Sequence, residues 1–215
     1  MSTQQHTLYG YDGSGSAAIE AALVQAGLDY RVVNAASWDE KSALDELARV
    51  NPMKQIPTLV LPDGTALSES AAILMHLGLA HPASGLLPAD ATARALALRG
   101  LVFIAANCYS AISVGDFPER WTTETTDVAR AAVRAASRER LHAHWSIFAD
   151  LHPQRPFLGG DRPGALDLLA AVVSRWSGTR AHLAKDRPDF AALVTRVDTH
   201  PTFAPVFARH WPAPR

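Results

Sequence analysis

Residues 51–70 contain the side chains whose types and order point most directly to chemistry. Residues 68–70 (Ser-Glu-Ser) begin a predicted helix, and hydroxyl groups together with the free backbone N–H groups of a first helical turn can bind an anion. Pro57 lacks a backbone N–H, so it suits the start of an edge strand, here the β-prone run Thr58–Leu61. Residues 62–64 (Pro-Asp-Gly) are typical of a tight turn between two short strands. The stretch therefore predicts an anion site at the end of a sheet.

The elements that must position this stretch alternate between strands and helices. Ile19, Ala22 and Leu23 fall on one face of a predicted helix, and Gly27 ends it. A strand–helix–strand unit with short connections predicts a parallel pair of strands. The predicted elements are a strand at 7–11, a helix at 16–26, a strand at 29–34, a helix at 39–50, the hairpin, and a helix at 69–81.

The chain after residue 82 is predicted to be helical throughout. Residues 83–89 read as a linker, and the apolar residues beyond it recur at helical spacing, as Leu98, Leu101 and Val102 do. The sequence therefore predicts a small α/β domain over 1–82 and an all-α domain over 90–215.

Composition narrows the possible partners and compartments. The formal net charge is −1, from 20 basic and 21 acidic residues, so no general attraction to nucleic acid or anionic lipid is expected. Cys108 is the single cysteine, which excludes an internal disulfide and favours a reducing, cytoplasmic compartment. We expect no signal peptide and no membrane span. The nine histidines form no ligand cluster, and no metal is expected.

Four local matches make the sequence resemble the cytosolic glutathione transferases, in particular those of bacteria. Residues 51–57 are similar to the family's loop before its cis-proline, residues 68–70 to its acidic-serine pair, and residues 26–30 to the end of its first helix. Residues 164–167 are similar to the capping box of its buried core helix, in which Asp167 is structural. The resemblance implies a thioredoxin-like N-terminal domain, an all-α helical bundle as C-terminal domain, and a homodimer.

The same resemblance implies where glutathione binds. A cis peptide bond between Ile56 and Pro57 would leave the backbone groups of Ile56 free to pair with the cysteinyl backbone of glutathione, like an added strand. Glu69 would accept a hydrogen bond from the γ-glutamyl amine, and Ser70 would hold the γ-glutamyl carboxylate. Lys54 and Gln55 would reach the glycyl end.

The thiol-activating group of the family lies at the start of the first helix, where its members carry Tyr, Ser or Cys. Here the cysteine position falls on Gly15 and the serine position falls on Gly13. Ser14 is the closest hydroxyl and our candidate catalytic residue. Ser16 is a second candidate, with helix capping as its other role, and the tyrosines of the first strand stay open as alternatives. Disulfide exchange is not expected, because the loop has no thiol.

A small hydrophobic electrophile would bind between the two domains. Its expected contacts are Tyr11 from the first domain and Cys108 and Tyr109 from the first helix of the second, with Trp121 and Trp176 as further aromatic surface. For Cys108 the alternative is a buried, inert side chain.

Three functions are consistent with these residues. The first is an enzyme of detoxification that conjugates the glutathione thiolate to small apolar electrophiles. The second is a transferase-like protein that binds glutathione or an apolar ligand with little or no turnover, because both usual catalytic positions are glycines. The third is a dedicated glutathione-dependent isomerase, lyase or dehalogenating member of the family.

Overall fold

A computed structural model of the chain describes residues 5–152 and 156–212. The N-terminal part contains a mixed four-stranded sheet with strand order β2-β1-β3-β4. Strands β1 and β2 are parallel, and β3 lies antiparallel to both β1 and β4, which confirms the predicted parallel pair and hairpin. The strands are β1 (His6–Gly10), β2 (Tyr30–Asn34), β3 (Thr58–Val60) and β4 (Ala66–Leu67).

Three helices cover the two faces of the sheet. Leu8 and Leu59 pack with residues of α1 and α3 on one face, and Tyr9 packs with Leu47 of α2 on the other. The alternation of Leu8 and Tyr9 follows from the two-residue period of a strand. This arrangement confirms the thioredoxin-like domain. The helices are α1 (Ser16–Gln25), α2 (Leu44–Val50) and α3 (Ser70–Ala80).

The second helix is shorter than predicted. The sequence predicts a helix from residue 39, but the helix begins at Leu44. The Asp39 carboxylate accepts hydrogen bonds from the Lys41 N–H (2.9 Å) and the Asn34 side-chain amide (2.6 Å). An aspartate that bonds to the backbone two residues ahead favours a turn over a helix.

The remainder of the described chain is helical, as predicted, and a short 3₁₀ helix at Pro82–Ser84 precedes it. A π-helical segment at Ile104–Tyr109 joins α4 and α5 into one helix of 26 residues. By length and composition alone this helix could cross a membrane, but it packs against α3, α6 and α7. The domain limits at residues 82 and 90 stay a prediction. The helices are α4 (Ala91–Phe103), α5 (Ser110–Asp116), α6 (Asp127–Leu151), α7 (Ala165–Val173), α8 (Thr179–Asp186), α9 (Pro188–Asp198) and α10 (Ala204–His210).

Helix α7 lies at the centre of the molecule, with all of its residues buried. Asp167 in its first turn accepts backbone hydrogen bonds from Leu158 (2.6 Å), Gly159 (2.9 Å) and Gly164 (2.9 Å). These N–H groups would otherwise be buried without an acceptor, which is costly. The Asp167 carboxylate therefore ties the preceding loop to the core helix, in line with the structural role expected for it.

Candidate functional site

A cleft of about 750 Å³ runs between the ends of the N-terminal sheet and the continuous α4–α5 helix. One wall is formed by the loops at residues 13–15 and 53–57 and by the start of α3. The other wall includes Tyr109 and Phe117, and Trp176 closes the cleft from the loop after α7. The sequence-predicted residues of the first wall are thus brought together, although they come from three separate connections.

The loop before β3 presents its backbone to this cleft. The peptide bond between Ile56 and Pro57 is cis, as predicted. Among the described residues, no hydrogen bond uses the N–H or the carbonyl of Ile56. Two buried side chains hold the loop from behind, since Thr58 and Asn51 both donate to the Gln55 carbonyl (2.8 and 3.2 Å). A strand-like donor and acceptor are therefore free at the mouth of the cleft.

Asn51 is a positioning residue whose role sequence reasoning missed. Its side-chain amide also donates to the Thr58 hydroxyl (2.9 Å), and its carbonyl oxygen accepts from the Met53 N–H (3.1 Å). The side chain thus spans the whole turn that ends at Pro57. The available signal was Asn51 directly before Pro52, because an asparagine side chain at a turn can bond to the backbone two residues ahead.

Glu69 and Ser70 stand at the N-terminus of α3 and line the cleft. Glu69 is exposed and adopts φ 66°, a conformation that side-chain-bearing residues rarely adopt and that costs about 1–3 kcal/mol. Ser70 begins the helix, so its N–H has no acceptor inside the helix. Within the described chain neither side chain forms a hydrogen bond, which leaves a carboxylate and a hydroxyl available to a ligand.

Lys54 and Gln55 also line the cleft, and both side chains are exposed. Two large apolar side chains beside them, Trp38 and Met53, are 64% and 63% exposed and were not anticipated as site residues. Exposed tryptophan and methionine side chains that share a cleft mark a surface suited to an apolar ligand.

Of the two serines proposed as catalytic, only Ser14 lines the cleft. The Ser14 hydroxyl lies 2.8 Å from the Ser16 hydroxyl and accepts a hydrogen bond from the Ser16 N–H (3.2 Å). Ser16 is buried, and its hydroxyl bonds to both the N–H and the carbonyl of Tyr11 (3.2 Å each). The expected catalytic or capping role of Ser16 is therefore corrected, because its hydroxyl is used inside the loop and Gly15 is the N-cap residue.

The C-terminal helix holds the same loop in place. The Gly13 N–H donates to Nδ1 of His210 (3.1 Å), and Nε2 of His210 donates to the Glu20 carboxylate (2.8 Å). The acceptor role of Nδ1 assigns the proton to Nε2. Glu20 and His210 are both buried. Sequence reasoning missed this arrangement, because nothing local in the chain relates α10 to residue 13.

Gly15 lies directly under the phenol of Tyr109. A Cβ atom at Gly15 would overlap the Tyr109 hydroxyl oxygen and would lie 3.7 Å from Cδ of Pro57. The pKa of Tyr109 is raised, first by burial and then by the negative charges of Asp116 and Glu69. The phenol is therefore protonated at neutral pH, and its hydroxyl can donate a hydrogen bond.

Most of the other expected contacts of the electrophile do not line the cleft. Cys108 is fully buried and does not line the cleft, and burial raises the pKa of its thiol to about 12. Tyr11 does not line it either; its ring packs edge-on against Trp38, at 5.5 Å between centroids. Trp121 is also absent from the lining, while Trp176 belongs to it. Of the two roles considered for Cys108, the structure therefore favours the buried, inert side chain over a contact with the electrophile.

Tyr9 is also removed from the candidates for thiol activation. Its hydroxyl donates to Glu46 of α2 (2.6 Å), on the face of the sheet that α2 covers. Burial and this bond raise its pKa to about 12. Among the described residues, no group of three or more His, Cys, Asp or Glu side chains is arranged to hold a metal ion.

Comparison with known proteins agrees with this geometry. Residues 4–78 match the family model of the glutathione S-transferase N-terminal domain. The chain is 26% identical to the uncharacterized GST-like protein YncG of Escherichia coli, over 94% of this chain and 97% of that protein. It is 38% identical to a probable maleylacetoacetate isomerase of Caenorhabditis elegans, over 44% of each chain.

Solved structures show the same likeness over nearly the whole chain. A sphingomonad glutathione S-transferase in complex with glutathione superimposes with a TM-score of 0.76 at 25% identity, covering 96% of this chain and all (100%) of that one. A ternary complex of BphK, a bacterial glutathione S-transferase, gives a TM-score of 0.77 at 26% identity, covering 95% of this chain and 98% of the other.

Proposed function

Because the chain belongs to the glutathione S-transferase family, we propose that it binds glutathione in this cleft and activates the thiol toward small apolar electrophiles. The observation that carries the proposal is the free N–H and carbonyl of Ile56, held at the cleft by the cis bond to Pro57. An extended peptide can pair with such groups as an added strand. The cysteinyl residue of glutathione would thereby place its thiol near the loop at residues 13–15.

The polar groups of the cleft complement the ends of the tripeptide. Glu69 offers a carboxylate to the γ-glutamyl amine, and Ser70 offers a hydroxyl and a free N–H to the γ-glutamyl carboxylate. Lys54 and Gln55, at the other side of the cis bond, are suited to the glycyl carboxylate. Each charged group of glutathione thus has an oppositely charged or hydrogen-bonding partner.

Thiol activation needs a donor near the sulfur atom. A free thiol has a pKa of about 8.5, so little thiolate is present at neutral pH. Lowering the pKa by one unit requires about 1.4 kcal/mol of preferential stabilisation of the thiolate. A hydroxyl that donates a hydrogen bond to charged sulfur contributes about 1.5–3 kcal/mol. Ser14 is the hydroxyl of the N-terminal loop that lines the cleft.

The apolar part of the cleft would hold the electrophile. Trp38, Met53, Phe117 and Trp176 supply aromatic and thioether surface, and the Arg120 guanidinium lies 4.1 Å from the centroid of the Phe117 ring. Bringing the electrophile next to the thiolate makes the reaction effectively intramolecular. The sulfur then forms a bond to the electrophilic carbon, and the leaving group departs with its electron pair.

Glutathione binding is tested at the start of α3. We expect Glu69→Gln and Ser70→Ala each to weaken glutathione binding by roughly 10- to 100-fold, because each removes a charge-assisted hydrogen bond of about 1.5–3 kcal/mol. Isothermal titration calorimetry at neutral pH measures the effect, with Glu124→Gln, at an exposed position outside the cleft, as the matched control. Unchanged affinity in both variants, or no saturable binding by the wild type, would contradict the proposal.

A glutathione-dependent isomerase is the second candidate, favoured by the likeness to a probable maleylacetoacetate isomerase. An isomerase returns glutathione unchanged, whereas a conjugating enzyme consumes it. In separate incubations, an isomerase would convert maleylacetoacetate without loss of free thiol, whereas a conjugating enzyme would consume free thiol with one or more of a panel of apolar electrophiles. A glutathione-binding protein without turnover would neither convert maleylacetoacetate nor consume free thiol. The glycines at positions 13 and 15 are the reason to include this third outcome.

Family membership also underlies three further proposals: a homodimer, a cytoplasmic location and a role in detoxification. The single cysteine is compatible with a reducing compartment, where glutathione is kept as the thiol. Light scattering that gives the mass of one chain would argue against the homodimer.

A further inference from the structure

The space beside Gly15 is occupied by a phenol from the other wall of the cleft. A Cβ atom there would overlap the Tyr109 hydroxyl oxygen and would lie 3.3 Å from its ring carbon Cζ. Gly15 itself has φ −61°, which any residue can adopt. The glycine is therefore required by the close approach of Tyr109, and not by the backbone conformation.

The Tyr109 hydroxyl is available to a ligand. Tyr109 lines the cleft, and its ring packs against Trp176 at 5.7 Å between centroids. Within the described part of the chain its hydroxyl forms no hydrogen bond, whereas the hydroxyls of Tyr9 and Tyr30 donate to Glu46 and Glu20 (2.6 and 2.8 Å). The proton of this half-buried phenol is therefore available to an acceptor that enters the cleft.

Ser14, the competing hydroxyl, is already engaged. Ser16 can donate only one proton, and its contact to the Tyr11 carbonyl uses it (3.2 Å). The 2.8 Å contact between the two serine hydroxyls then takes the proton of Ser14. Ser14 can therefore donate to a sulfur atom only by giving up its bond to Ser16, or if Ser16 turns its own proton from the Tyr11 carbonyl to Ser14.

We propose that Tyr109, from the helical domain, donates the hydrogen bond that holds the thiolate of glutathione, in place of a side chain from the N-terminal loop. This inference rests on the proposed glutathione binding. The thiol proton leaves to solvent, and Tyr109 keeps its own proton while donating to the sulfur. When sulfur bonds to the electrophile and its negative charge disappears, this hydrogen bond weakens and the product can leave.

The charges around the phenol are consistent with a donor. Burial raises the pKa of Tyr109, and the negative charges of Asp116 and Glu69, which line the same cleft, raise it further. The phenol thus stays protonated over the pH range in which the thiol titrates. Two cations, Arg120 and Lys54, also line the cleft, and their charge would favour the thiolate. Their contribution is sensitive to salt, while that of a direct hydrogen bond is not.

The test is the pKa of enzyme-bound glutathione, read from the ultraviolet absorbance of the thiolate as a function of pH. We expect Tyr109→Phe to raise this pKa by at least about one unit toward the free value of about 8.5. The conjugation rate at pH 6.5 should fall with it, by up to about tenfold for each unit of the rise, and affinity for S-methylglutathione, which has no thiol, should stay within about twofold. Gly15→Ala should raise the pKa in the same way, because its methyl group displaces the phenol. Ser14→Ala should change the pKa by less than half as much.

The outcomes separate this inference from the proposed function. An unchanged thiol pKa in Tyr109→Phe overturns the inference, even if the rate falls. A larger shift in Ser14→Ala than in Tyr109→Phe also overturns it. If the wild type binds S-methylglutathione but the bound thiol of glutathione titrates as in water, binding stands and the inference fails. If the wild type binds neither compound, both fail.

Discussion

Asp167→Ala is expected to lower the free energy of unfolding by about 3–5 kcal/mol. The carboxylate is fully buried and accepts from the N–H groups of Leu158, Gly159 and Gly164 at 2.6–2.9 Å. Each buried N–H that loses its acceptor costs about 1–3 kcal/mol. The three costs do not add fully, because the loop relaxes and admits water, so the total falls within the range for loss of a buried network.

Urea denaturation monitored by tryptophan fluorescence measures this loss. Asp161→Asn is the matched control, since Asp161 is an exposed residue of the same loop, and it should change stability by less than about 0.5 kcal/mol. A loss below about 1 kcal/mol in Asp167→Ala would show that the loop after α6 is anchored by something other than this carboxylate.

The features that the sequence predicted are those specified by neighbouring residues. Pro57, the turn at residues 62–64 and the short run between them predict the hairpin, and residues 68–70 predict the start of α3, where the structure places both. Gly27 ends α1 with φ 66°, as its place after an apolar stripe predicts. Local chemistry was therefore enough for the hairpin and the start of α3, whereas the cis bond and the binding roles of the first wall were implied by the resemblance to the family.

The errors came from facts that no local pattern contains. Strand β1 ends at Gly10, so Tyr11 belongs to the loop and its side chain is not placed by the strand alternation. Ser14 and Ser16 are only two residues apart in the sequence, yet the Ser16 hydroxyl is buried inside the loop and Ser14 lines the cleft. The approach of Tyr109 to Gly15 depends on how two domains pack, which side-chain spacing does not record.

Glu20→Gln is expected to lower the free energy of unfolding by about 2–4 kcal/mol. Glu20 is buried and accepts from Tyr30 (2.8 Å), from His210 (2.8 Å) and from Arg209. Breaking a buried ion pair costs about 3–5 kcal/mol, and the lower range applies because the Arg209 side chain is 51% exposed and can be hydrated. Glu139→Gln, at an exposed position on α6, is the control.

The pH dependence of this loss identifies its origin. Burial alone would raise the pKa of Glu20, but the hydrogen bonds from His210, Tyr30 and Arg209 outweigh it, and the pKa is lowered. Between the folded pKa and the unfolded value of about 4.3, the unfolded chain binds more protons, so stability increases with pH there. The difference between wild type and variant should be complete at pH 7 and should shrink as pH falls below about 4. A difference that is independent of pH would indicate lost packing instead of lost charge.

The same substitution should also loosen the loop that faces the thiol. Glu20 orients His210, whose Nδ1 accepts from the Gly13 N–H (3.1 Å). A glutamine can turn its NH₂ group toward Nε2, which then gives up its proton, and Nδ1 becomes a donor that no longer accepts from Gly13. Faster amide hydrogen exchange at residues 13–16, measured under conditions where the variant is fully folded, is the expected result. Unchanged exchange there, together with the predicted loss of stability, would mean that the C-terminal helix stabilises the fold without positioning the loop.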